Sequence, residues 1–313
     1  MSAPSSLRRF ATWATESDGR PETERAVPLS PRWWFRPVPL ARVAVFRTIA
    51  YLFILVDVLV TTTWVKAHAE VPTAWYQPLT IAEVLHLPVP THTVVVTVQW
   101  LLIGTALLAA TGRAPRVLGT AVFLLYLEWM VIAMSYGKVD HDRISFLVAL
   151  AVLPTIGRAR FRDRRSSEAA GFAMAAVLIA VMLTYFMAAW AKMRFGGWDW
   201  PTGATIARAV VRRGSVFSDW TLHVPYLLPA VQWAMVIGEF ASLVILWVRT
   251  DRMRVTLVVG LLAFHVITYL GLGIVFLPHC IAILSILPWE RLTTGRRTAP
   301  AAAPVPAPAP APG

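Results

Sequence analysis

Apolar runs recur along this chain at about 43–64, 93–110, 117–135, 144–156, 169–191, 227–248, 255–270 and 272–287, and no other feature restricts the fold as much. A helix of about 20 apolar residues crosses the hydrocarbon core of a bilayer with every backbone polar group bonded internally. Most of the runs approach that length; the fourth, seventh and eighth are short. They predict an all-α integral membrane protein, a polytopic bundle of about eight transmembrane helices. Only Gly271, Leu272 and Gly273 lie at the junction of the last two runs, so these can be separate helices, one broken helix or a re-entrant pair.

Composition agrees, with 57% hydrophobic and 15% charged residues, where a soluble chain has roughly 25% charged residues. The net charge of +12 does not point to nucleic acid, because the arginines sit in short loops between apolar runs and not on one face. Arg113 and Arg116 follow run two, Arg158 to Arg165 follow run four, and Arg249, Arg252 and Arg254 follow run six. Loops after runs one, three and seven hold few basic residues. By the positive-inside rule this alternation predicts both termini on the cytoplasmic side of the plasma membrane. The loop after run five breaks the pattern with Arg194, Arg208, Arg212 and Arg213, and a site for an anionic group is one reason for a basic outer loop.

The termini read differently. Residues 1–31 lack periodicity and are predicted to be a disordered cytoplasmic tail with no cleaved signal, while 32–290 form the membrane domain. Residues 291–313, basic and then Ala/Pro-rich, are predicted to be a second disordered tail. Cys280 is the single cysteine, so an intrachain disulfide and a cysteine-based metal site are both excluded.

Ionisable side chains inside apolar runs are costly, and each is a candidate functional group. Asp57, Glu128, His141, Lys192 and His265 fall at a similar depth near the outer face, with Glu239 nearer mid-span. Each has a plain structural alternative. Lys192 beside Arg194 at a helix end can be a snorkelling anchor or a catalytic base. His265 can bond a neighbouring helix or a ligand. Asp57 and Glu128 can pair with Arg47, Arg143 or Lys192, or bind substrate. Trp190, Trp198 and Trp200 suit an aromatic belt or the wall of a quinone site. Asp140, His141 and Asp142 lack a third ligand at helical spacing, so no metal is expected.

The segment YFMAAWAKMRFGGWDWPTG, starting at Tyr185, resembles a pattern of the HTTM (horizontally transferred transmembrane) family, to which the membrane domain of vitamin K-dependent gamma-glutamyl carboxylase is related. DHDRISFLVALAVLP, FHVITYLGLGIVFLP and the opening PVPLARVAVFRTIAYLFILVD carry the same resemblance, which covers roughly residues 32–290. It implies Lys192 as catalytic base, with His141 and His265 assisting. It also implies Tyr185, Trp198, Glu128 and Asp57 around the substrate or cofactor, and a reduced, vitamin K-like quinone as that cofactor. The expected partners are the lipid bilayer and an exported peptide or second polypeptide, with no nucleic acid. A transporter, or a non-enzymatic accessory to a secreted peptide, is the alternative that the residues leave open.

Overall fold

The computed structural model describes residues 26–248 and 250–293. Most of the tail expected at 1–31 and nearly all of that at 291–313 lie outside the described residues. Nine helices organise the described chain: α1 Leu40–Val56, α2 His92–Ala110, α3 Pro115–Met134, α4 Ile144–Val152, α5 Glu168–Gly196, α6 Thr205–Arg213, α7 Leu227–Ala241, α8 Asp251–Leu272 and α9 Leu277–Ile283. Shorter helical turns lie between them, and 3-10 turns extend α4 to Ile156, α7 to Trp247 and α9 to Ile286. The only ladder among the described residues is a two-residue antiparallel pairing of Val38–Pro39 with Ser166–Ser167.

Six of these helices are long and apolar enough to cross a membrane, against the eight expected: α1 with its extension to Thr61, α2, α3, α5, α7 with its extension, and α8. The fourth and eighth runs do form helices, but short ones. Asp142 and Arg143 fall in a 3-10 turn ahead of α4, and Pro154 and Gly157 close its far end. The last two runs are separate elements, because Gly273 takes a left-handed φ of 66° after α8 and residues 273–276 leave the helix before α9 begins.

The core gathers around α1, α3, α4, α5 and α9, and Tyr51, Phe46, Trp129 and Phe146 are among its fully buried side chains. Helix α9 packs on α1, α4 and α5, whereas α8 is outermost, with 17% of its apolar window buried. The first turn of α1 has amide donors with no partner within the helix. Leu40 N–H reaches Arg165 O at 2.8 Å and Ala41 N–H reaches Asp163 O at 3.2 Å, which anchors α1 to the loop before α5. The buried Arg47 is held by the same loop region, donating to Gly157 O at 2.9 Å and Ala159 O at 3.0 Å.

Past Val56, α1 widens into a π-turn over Asp57–Thr61. Such turns insert one residue into an α-helix and leave carbonyls to be bonded by side chains. Thr62 Oγ1 donates to Asp57 O at 2.7 Å, and Trp129 Nε1 donates to Thr62 Oγ1 at 3.0 Å.

The sequence places the end of the fifth span at Ala191, but α5 continues through Gly196. Met193, Arg194 and Phe195 tolerate a helix, and no breaker occurs before Gly197, which takes φ 54°. Its 29 residues make it about 43 Å long, more than the roughly 30 Å of a hydrocarbon core.

Candidate functional site

Tyr185 and Lys192 are seven residues apart on α5, two turns on one face of the helix. Each meets a titratable group from another helix. Lys192 Nζ donates to both carboxylate oxygens of Glu239 on α7 and lies 5.1 Å from the Trp200 ring centroid. Glu239 is almost wholly covered, with 8% of its side chain exposed against 20% for Lys192. Burying a carboxylate in such a place requires a partner charge, and Lys192 supplies it.

One face-length away, Tyr185 Oη and His265 Nε2 are hydrogen-bonded at 2.6 Å. The His279 ring stands 4.8 Å from Tyr185 and 5.4 Å from His265, and its Nδ1 bonds Ser145 Oγ at 2.9 Å. Fourteen residues of continuous helix would separate His265 from His279 by about 21 Å. The break between α8 and α9 instead folds the chain back and brings the imidazoles together. Both rings are buried, and each uses one nitrogen: His265 Nδ1 and His279 Nε2 have no hydrogen-bond partner. Phe264 and Phe276 flank His265 at 5.2 and 5.1 Å. The result is a buried aromatic cluster in which two ring nitrogens are left to donate or accept a proton.

The other four expected site residues have different surroundings. His141 is exposed in the 3-10 turn before α4, within electrostatic reach of Glu239 and His279. Next to it, burial raises the Asp142 carboxyl above its ordinary range, with Arg143 opposing that rise. Asp57 is fully buried and fully occupied. It accepts from Arg143 Nη1 at 2.7 and 2.9 Å, from Tyr126 Oη at 2.8 Å and from Thr61 Oγ1. Of the pairings open in the sequence, the one with Arg143 is formed. Glu128 has both oxygens buried with no hydrogen-bond partner. Trp198 sits against Trp233 with ring centroids 5.9 Å apart and remains largely exposed, as a belt residue would. Among the described residues, no three His, Cys, Asp or Glu side chains converge as a metal site requires.

Sequence reasoning missed His279 and the partnership of Glu239. A histidine embedded in the apolar run Leu272–Leu287 was the available signal for the first. Nothing in spacing links Glu239 to Lys192, 47 residues earlier. No family model, no curated protein and no solved structure matches this chain, so what the site does rests on its own geometry.

Proposed function

We propose that the protein is an HTTM-type enzyme of the cytoplasmic membrane that uses a reduced quinone at an outer-leaflet site to act on an exported peptide, in the manner of vitamin K-dependent gamma-carboxylases. In this reading the two short helices complete eight crossings and both termini are cytoplasmic. One observation carries it: a single face of α5 presents Lys192 paired with a buried Glu239 and, two turns away, Tyr185 bonded to His265 beside His279, with one free nitrogen on each imidazole.

These residues fit a quinone. Phe264, Phe276 and Tyr185 supply aromatic walls, and the orphaned His265 Nδ1 and His279 Nε2 supply the polar contacts that two ring oxygens require. Bound there, a reduced quinone supplies two electrons and an acidic hydroxyl proton. The strip of α5 between Tyr185 and Lys192, about 10 Å along the axis, is the part of the molecule we assign to it. Glu239 orients Lys192 and can take the ammonium proton from it, since a neutral amine and neutral acid are favoured over an ion pair where water is scarce; the neutral amine would then be free to accept the hydroxyl proton. Tyr185 fixes the His265 ring, and Ser145 fixes His279, so neither imidazole reorganises during proton transfer.

A naphthoquinol titrated into the purified protein should bind saturably, and K192M and H265A should each weaken binding at least tenfold while unfolding cooperatively. With the peptide acceptor present, K192M should incorporate no labelled carbon dioxide. Absence of binding in the wild type, or undiminished binding in both variants, refutes the proposal. The non-helical break beside His265 favours transport as a second reading, in which residues 273–276 should label from both sides of the membrane.

A further inference from the structure

The segment between α5 and α7 carries a second site, apart from the buried imidazoles. Helix α6 reads TIARAVVRR, and it is strapped over the ends of the neighbouring helices. Gln232 of α7 accepts from Ile206 N–H at 2.7 Å and donates to Trp200 O at 2.7 Å and Gly203 O at 3.0 Å. Ser218 Oγ donates to Gly271 O at 2.7 Å, and Ser215 Oγ donates to Leu270 O, so two carbonyls orphaned at the end of α8 are capped by the same segment. These ties place α6 across one end of the bundle, where the helices leave the hydrocarbon.

A cavity of about 440 Å³ opens there, lined by Arg208, Arg212 and Arg213, with Thr205, Asp199 and Ile274 completing its wall. Arg208 and Arg212 are four residues apart and share a helix face. None of the three guanidinium groups has a hydrogen bond or ion pair among the described residues. Three guanidinium groups line the space against the one carboxylate of Asp199. Phe195, Trp198, Phe217, Trp220 and Tyr226, in the stretch from the end of α5 to the start of α7 that contains α6, are all strongly exposed, as residues seated at headgroup level are. Val211 is 76% exposed although its neighbour Val210 is buried, so α6 offers apolar surface outward as well as charge.

We propose that this cavity binds the phosphate of an anionic phospholipid headgroup. Arginine forks match phosphate oxygens bidentately, and exposed aromatic side chains along the same stretch of chain suit the depth where headgroups lie. A free phosphate shares the chemistry but has no use for the exposed Val211 and the exposed aromatic side chains of this stretch; an amphiphile does.

The test uses the full chain purified in mild detergent, with lipid retained per protein counted by native mass spectrometry against equimolar phosphatidylglycerol and phosphatidylcholine. The wild type should prefer phosphatidylglycerol. R208Q/R212Q should reduce that preference about thirtyfold, taking about fivefold attraction per basic residue near an anionic surface. R158Q/R160Q, in a different loop, should retain it, and matched thermal unfolding of all three proteins excludes misfolding as the cause. No preference in the wild type, or a preference that survives R208Q/R212Q, overturns the proposal. Displacement of the lipid by micromolar inorganic phosphate overturns the lipid assignment in favour of a soluble anion.

Discussion

Replacing Arg143 by Met should be the most damaging single change outside the imidazole pocket. Asp57 is fully buried, and Arg143 is its only charged partner among the described residues. Breaking a buried pair by removing one member typically costs about 3–5 kcal/mol, because the remaining charge stays desolvated. Here Tyr126 Oη and Thr61 Oγ1 still donate to the carboxylate after the change, which sets the loss near the lower bound, about 3 kcal/mol. That is roughly a hundredfold in the folded-to-unfolded ratio. D57N/R143M removes the stranded charge yet keeps an acceptor for Tyr126, and should recover about 2 kcal/mol. Reversible unfolding in mixed micelles, followed by tryptophan fluorescence, reads both values through the midpoint. An R143M midpoint equal to wild type refutes the reasoning, as does a double variant no more stable than R143M.

Two further changes test other parts of the frame. Glu290 lies beyond the last helix; burial alone would raise its carboxyl, but the Arg42 guanidinium at 2.8 Å overrides this and holds it below the ordinary carboxylate range. A depressed folded-state value gives stability that is present above the unfolded pKa of about 4.3 and lost as pH falls through the folded one. E290Q should therefore flatten the acid limb of the stability profile below about pH 4, and an unchanged limb counts against the pair. G171A should destabilise by about 1–3 kcal/mol, since a Cβ there would stand 2.0 Å from Arg36 O and push the segment before α1 away from α5. Thermal unfolding measures it; a neutral result would mean that this contact yields freely.

Much of the frame was legible in the chain because hydrophobic length is a one-dimensional property. Six helices of spanning length follow directly from the apolar runs. So did the expectation that ionisable groups within them find partners, and Asp57 with Arg143 was among the pairs considered. Depth was less legible. Lys192 was placed at a helix exit because a charge after an apolar run reads as an end, but α5 holds it inside a continuous helix facing Glu239. The imidazole pair was not legible at all, since it depends on a four-residue departure from helix between Leu272 and Leu277. Tertiary reversals of that kind leave no periodic trace, and Gly273 marks only where one is permitted.

The π-turn at Asp57–Thr61 has a consequence for the way this chain tolerates changes in length. Each added residue in a helix rotates everything beyond it by about 100°. Asp57 still bonds back to Phe53 O and so keeps the phase of Leu40–Val56, which sets it against Tyr126 and Arg143, while the residues after it are turned independently. A one-residue deletion within Val58–Thr61 would restore an unbroken helical phase without disturbing Leu40–Val56, and the residues after it would face new neighbours. The turn is in effect a clutch between two segments of one helix, and it allows the residues beyond Asp57 to be re-indexed while the packed end and its acid stay fixed.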